Sequence, residues 1–227
     1  MACSEDVGSH YAGEEGKEYV KRHQSQFGHL GHKLNFQYFR PYLRPQDVVL
    51  DFGCGNGSLL AHIKANVVRA EGLEVNPSAR EIAVQAGCRI YSSLDELPSE
   101  PTYDVIVTNH VLEHISDVCA TLRRLRQCLR IGGLLVAKLP IEDFRAPHQR
   151  RWSANDPDHH LHTWTPLLFG NVLYDSGLDV RECRVVTSAW HPKLFPLVNI
   201  GLGRVACWAL AVLLKRRQLL AIGVRKE

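Results

Sequence analysis

The sequence predicts an α/β fold, a doubly wound parallel sheet assembled from seven strand segments, and three observations carry that expectation. Short apolar runs with strand character alternate with helical segments along much of the chain. The first run, Val48-Val49-Leu50, ends at Asp51 and passes into a turn holding Gly53, Gly55 and Gly57 before a helix begins. A second run, Ala70 to Glu74, also ends on an acid about 20 residues after the turn, where open α/β sheets place a ribose-binding carboxylate.

In chain order, residues up to about Lys17 are polar and glycine-containing and are expected to be loosely held unless a ligand orders them, with Tyr11 singled out. From Glu18 to Leu43 the spacing of Tyr19, Val20, Phe27, Leu30, Leu34, Phe36, Tyr38, Phe39 and Tyr42 predicts a helix ended by Pro41 and Pro45. The first strand and glycine turn follow, and the missing Cβ atoms are expected to let backbone N–H groups approach a ligand. After the second strand, Asn76-Pro77 opens a helix from Ser78 to Ala86. Arg89 to Leu97 reads as a short third strand and loop. Tyr103 to Asn109 is a buried fourth strand with a helix after it. Leu122 to Leu129 is an amphipathic helix that Gly132-Gly133 terminates, and Leu134 to Pro140 is the fifth strand. Residues 141–165 form a long polar loop with several histidines, aspartates and tryptophans, and loops of that length are usually functional. Thr165-Pro166 starts a helix that ends at Ser176-Gly177, and Leu178 to Ser188 and Gln218 to Lys226 are the last strands.

Between those strands Phe195 to Leu214 is almost wholly apolar. A membrane span is rejected, because Arg204 at mid-membrane would cost about 2.5–3.5 kcal/mol. The expectation is a helix over the pocket or against a second subunit in a homodimer, or a peripheral membrane contact with Lys215-Arg216-Arg217 at its edge.

A chain of 227 residues with 45% apolar content supports a single domain. Its expected parts are an N-terminal helical cap (1–46), a cofactor-binding core (47–140), an acceptor loop (141–166) and C-terminal helices and strands (167–227). The net charge of +3, with scattered basic residues, leaves no nucleic-acid footprint. Seven cysteines without a Cys-x-x-Cys pair read as reduced thiols, and no apolar leader precedes Tyr19, so a cytoplasmic location is expected.

The pattern Asp51-x-Gly53-x-Gly55-x-Gly57 resembles motif I of the class I S-adenosylmethionine-dependent methyltransferases. Ser58 stands where a dinucleotide fingerprint needs its last glycine. Tyr103 to His114 resembles the same family's segment after the fourth strand. The run His160-x-His162-x-Trp164-Thr165-Pro166 resembles the acceptor wall of its small-molecule and saccharide branch. The resemblance implies a Rossmann-like methyltransferase fold, with a closing antiparallel strand pair, and S-adenosyl-L-methionine as cofactor. It implies a cofactor site at Asp51, Gly53, Cys54, Gly55, Gly57, Glu74 and Val75, with Ser93 and Leu94 beside the adenine and Asn109 facing the sulfonium.

Methyl transfer to a hydroxyl needs a base, and histidine suits that near neutral pH. The expected reaction is therefore O-methylation of a sugar or hydroxylated metabolite. His159, His160 and His110 are the candidate bases, and Trp152 or Trp164 would give a ring a stacking face. No metal is expected, so chelation should leave activity unchanged. The rivals are a metal-assisted enzyme using Asp156, Asp158, His159, His160 and His162, a non-catalytic cofactor-binding protein, and a nicotinamide dehydrogenase.

Overall fold

The computed structural model describes residues 11, 16, 31–141, 150–153, 156, 158–187, 194, 197 and 201–227. Strand β1 is Val48–Phe52, β2 Arg69–Leu73, β3 Arg89–Tyr91, β4 Tyr103–Asn109, β5 Leu129–Pro140, β6 Asp179–Thr187 and β7 Arg217–Val224. They form one sheet of seven strands in the order β3-β2-β1-β4-β5-β7-β6. The pairs from β3 to β5 are parallel, whereas β7 is antiparallel to both β5 and β6. This is the predicted α/β class with its closing antiparallel pair.

The helices are α1 (Ser58–Lys64), α2 (Pro77–Gln85), α3 (Val118–Cys128), α4 (Pro166–Asp175) and α5 (Gly203–Leu213). Buried side chains divide by strand alternation onto two faces. Leu50, Phe52, Ile106, Leu135 and Leu219 pack with Leu122 and Leu125 of α3 and Phe169 of α4. Val49, Val105, Val107, Val136 and Ile222 pack with Leu60 and Ile63 of α1 and with Phe36 and Phe39 of the N-terminal segment. That segment is helical over 31–39 and tightens into a 3-10 turn at Arg40–Tyr42. The expected helix from Glu18 to Leu30 lies outside the described residues.

Three local expectations are corrected. Helix α3 begins at Val118, not Leu122, because the Asp117 carboxylate accepts the Ala120 N–H at 2.8 Å and caps it. Gly132-Gly133 does not end that helix. Its last carbonyls, those of Arg126 and Gln127, accept from the Arg225 guanidinium at 3.1 and 2.9 Å. The glycines instead form an irregularity inside β5, tied to the residue that follows β7 by Gly132 N to Arg225 O and Arg225 N to Gly133 O. After Asn109 the chain makes only a 3-10 turn, Leu112–His114, because His110 takes a left-handed φ of 57°.

Helix α5 has 11 residues, and no described helix is long and apolar enough to cross a membrane. It buries Cys207 and Ala211 and exposes Val205, Trp208, Val212 and Leu213. Most of the expected apolar stretch before it lies outside the described residues.

Candidate functional site

The glycine turn leaves β1 with Gly53, Gly55 and Gly57 at φ 76°, 55° and 79°, a region costly for other residues. Five of its amides are used internally. Gly53 N and Cys54 N donate to Leu73 O, Gly55 N to Glu74 Oε2, Gly57 N to Cys54 O and Ser58 N to Asn56 Oδ1. The glycines also differ among themselves. A Cβ on Gly53 would lie 2.3 Å from Val111, one on Gly57 3.1 Å from Ala83, and one on Gly55 would meet nothing within 4 Å. Among the described residues, Gly55 alone of the three has nothing obstructing its outward face. Cys54 is buried with its thiol against Gly72, and burial pushes that thiol well above its ordinary range.

The acids define the charge of the corner. Asp51 is 1% exposed and its Oδ2 has no hydrogen-bond partner among the described residues. Burial, reinforced by the charge of Glu74, raises its carboxyl to about 7. The Glu74 carboxylate accepts from Gly55 N at 2.8 Å and Asn76 N at 2.7 Å, so it is fixed in orientation. Burial raises it, against those backbone bonds and Arg80. Asn109 adds a second buried oxygen, Oδ1, without a hydrogen-bond partner among the described residues. An environment of two acids, with acceptors that lack a partner among the described residues, disfavours a pyrophosphate and suits a cationic nucleoside. S-adenosylmethionine fits it: Asp51 can meet the ammonium, Glu74 the ribose hydroxyls, and Asn109 stands at the end of β4. Val75 packs against the adjacent core, Leu94 is buried in that core, and Ser93 precedes its 3-10 turn.

A second polar group lies beyond the ends of β4 and β5. The buried Glu113 has Oε1 at 3.6 Å from His110 Nδ1 and 3.8 Å from His114 Nε2. His114 Nδ1 is 2.9 Å from the Tyr11 hydroxyl, which donates to Asp158 O at 2.6 Å. The His160 ring lies 4.8 Å from that of His114. His110 Nε2 is 2.8 Å from the Gln218 amide nitrogen, and its backbone N–H is held by Lys138 O. Lys138 is itself buried, donates to Asn35 Oδ1 at 3.0 Å, and is drawn down to about 7 by burial against the opposing charge of Glu113.

The acceptor loop contributes less of this than expected. His159 is exposed, at φ 45°, and offers its carbonyl to His114 at 3.5 Å. His162 Nε2 meets Ile115 O at 2.8 Å while its ring stacks on Trp164. Trp164 is 6% exposed and edge-on to Phe169, so it is core and gives no stacking face to a substrate ring. Trp152 is 90% exposed. Of the rival metal set, His160 alone joins the Glu113 and His114 cluster. The sequence reading missed Glu113 and Lys138 as polar centres, and also Asn35 and Gln218. A charged residue inside the apolar run Leu134 to Leu139 was the available signal for Lys138.

A family model for a methyltransferase domain matches residues 22–182. The ubiquinone biosynthesis O-methyltransferase of Roseobacter denitrificans is 32% identical over 151 residues, covering 58% of this chain and 59% of that protein. The one from Cereibacter sphaeroides is 31% identical, over 58% of this chain and 60% of its own length. The match thus spans about three fifths of these curated relatives. A SAM-dependent methyltransferase from Archaeoglobus fulgidus superposes with a TM-score of 0.66 at 16% identity, covering 91% of this chain and 99% of that one. The [4+2]-cyclase SpnF superposes at 0.62 and 17% identity, over 86% of this chain and 81% of that one, so the shared fold alone does not specify a reaction. With the family model covering most of its length, the chain belongs to the S-adenosylmethionine-dependent methyltransferase-domain family.

Proposed function

We propose that the chain, acting as one domain, transfers a methyl group to a hydroxyl oxygen of a small polar acceptor, a sugar or another hydroxylated metabolite. S-adenosylmethionine supplies the activated methyl. Asp51, Gly53, Cys54, Gly55, Gly57, Glu74 and Val75 would form its cradle, with Ser93 and Leu94 towards the base and Asn109 towards the sulfur. The acceptor oxygen attacks the methyl carbon, the carbon–sulfur bonding pair stays on sulfur, and the hydroxyl proton passes to His110.

The observation that carries this reading is how His110 is held. Its carboxamide neighbour Gln218 donates to Nε2, which places the imidazole proton on Nδ1, 3.6 Å from Glu113. A neutral ring whose one basic lone pair is at Nε2 stands at the end of β4; the acceptor hydroxyl takes the place of the Gln218 N–H there before the proton moves, and Glu113 compensates the charge the ring gains. An amine acceptor would need no such base. The O-methyltransferase names of the relatives favour the same reaction.

The test is His110→Gln. Turnover should fall about 10²–10⁴-fold with cofactor affinity nearly unchanged, across a panel of nucleotide sugars and hydroxylated aromatics. A variant within threefold of the parent, beside an inactive His160→Gln, would pass the role to the loop. The exposed apolar side of α5, followed by Lys215, Arg216 and Arg217, is proposed to meet a second copy or an anionic lipid surface. Sedimentation with and without anionic vesicles separates the two, and a monomer that ignores vesicles removes both.

A further inference from the structure

Lys138 is a buried charge that the proton transfer leaves unused. It pairs with Asn109 across β4 and β5, and the alternation through Val105, Val107 and Val136 puts both on the sheet face that the N-terminal segment covers. Across β5 and β7 it pairs with Leu220, so Gln218, two residues earlier on the same face, is its diagonal neighbour. Asn109, Lys138 and Gln218 thus form one row over three strands at the carboxyl edge. His110 stands beside that row, with its N–H on Lys138 O and its Nε2 against the Gln218 amide. We propose that the row selects the acceptor, with Lys138 and Asn35 holding a carboxylate on the molecule whose hydroxyl receives the methyl group. The substrate class is then a hydroxy acid, which rests on the O-methylation reading and narrows its acceptor.

The donors come first. Among the described residues the Lys138 ammonium meets Asn35 Oδ1, at 3.0 Å, and the face of the Tyr38 ring, 5.1 Å from its centroid. Three N–H groups therefore share one oxygen and one ring. A lysine only donates, so the Asn35 atom beside it is the carbonyl oxygen, and the amide Nδ2 is directed elsewhere. That Nδ2 donates to no oxygen among the described residues. Two donor groups one carboxamide apart, one of them charged, suit the two oxygens of a carboxylate. No carboxylate of the described residues is in contact with the ammonium. Glu113 attracts it from beyond ion-pair distance, while burial draws it towards neutrality. A bound carboxylate supplies the contact partner that a buried charge needs.

The acceptors of the row lie to either side. Asn109 Oδ1 and Gln218 Oε1 are buried without a hydrogen-bond partner among the described residues, and such oxygens suit hydroxyl protons. Donors at Lys138 and Asn35, acceptors at Asn109 and Gln218 and a base at His110 match a molecule with a carboxylate at one end and hydroxyls at the other. The carboxylate is not the methylated group, since an ionised oxygen needs no base. S-adenosylmethionine brings a sulfonium and an ammonium against one carboxylate, so the bound cofactor offsets Asp51 and Glu74 and lessens their repulsion of an anion.

The experiment uses the full chain saturated with S-adenosylhomocysteine. It is titrated by calorimetry with matched probes that differ in one group, caffeate against caffeamide and UDP-glucuronate against UDP-glucose. At least one carboxylate should bind about 10-fold or more tightly than its neutral partner, and Lys138→Gln should bring that pair to within about threefold while S-adenosylmethionine still binds. Asn35→Asp places a carboxylate of the chain on the ammonium, so it should also erase the preference while the melting temperature holds or rises. That variant keeps the test valid if Lys138→Gln misfolds, and a lysine that merely braces the N-terminal helix would show no such loss. Absence of saturable binding by either carboxylate, equal or tighter binding of the neutral partners, or a preference retained in Asn35→Asp overturns the subsite. Because binding is read without turnover, a carboxylate preference with no methylated product would count against the O-methylation reading and leave the subsite standing.

Discussion

Two buried carboxylates on neighbouring strands show how one sheet separates structure from function. Glu71 on β2 is 3% exposed and accepts the hydroxyls of Tyr91 at 3.0 Å and Tyr103 at 2.8 Å. Asp51 on β1, one residue further along the paired register, has an oxygen with no hydrogen-bond partner among the described residues. Glu71 ties β2, β3 and β4 together towards the sheet's amino edge. Asp51 lies near the carboxyl edge, where parallel strands end, helices begin and open α/β folds bind ligands. The first carboxylate is satisfied within the sheet, and the second keeps an oxygen without a hydrogen-bond partner among the described residues.

The largest effects should be opposite in sign. Glu71→Leu leaves two buried tyrosine hydroxyls without an acceptor, which costs about 2–5 kcal/mol of unfolding free energy in denaturant titrations. Asp51→Asn should stabilise the cofactor-free protein. The folded carboxyl keeps its proton to about pH 7, whereas an unfolded one loses it near pH 3.9. Between those values the folded state binds the extra proton, so stability falls as pH rises, by up to about 4 kcal/mol above pH 7. The gain in Asp51→Asn should therefore be absent near pH 4 and complete by pH 8. It should reverse at saturating cofactor, whose ammonium needs the charge. A flat pH profile of the difference in stability would break the contrast.

Glu74 stands between these cases, since its oxygens are spent on Gly55 N and Asn76 N yet face the same corner. Glu74→Ala should weaken S-adenosylmethionine by about 1–3 kcal/mol in calorimetry through lost ribose hydrogen bonds. Unchanged affinity, or tight binding of a nicotinamide dinucleotide, would overturn the cofactor geometry.

The fold was legible because apolar runs, Asn76-Pro77 and Thr165-Pro166 are local signals, and each marks an element in the structure. What stayed hidden depends on partners distant in sequence. The end of α3 is set by Arg225, about a hundred residues away. Trp164 read as a stacking platform because nothing nearby announces that Phe169 and His162 enclose it. The Tyr11 hydroxyl joins His114 to the Asp158 carbonyl, and no spacing rule connects these three residues. Glu113 was visible only as part of a recognised segment, because its burial is a property of the assembled sheet edge.

The smallest effects separate glycines that look equivalent in the motif. Gly55 and Gly57 both hold positive φ, so replacing either by Ala costs about 1–2 kcal/mol in backbone strain. At Gly57 the new methyl also meets Ala83 of α2 at 3.1 Å, and that contact can be relieved only by moving α1 and α2 apart. At Gly55 it meets no described protein atom within 4 Å, at a residue whose amide is bonded to Glu74. Gly57→Ala should thus lose more stability than affinity, and Gly55→Ala more affinity than stability. Thermal melts with and without S-adenosylmethionine measure both. Gly57→Ala should lower the melting temperature while keeping most of the ligand-induced rise, and Gly55→Ala should keep more of the melting temperature and lose more of the rise. The reverse pattern would mean that the outward face of the turn is at Gly57.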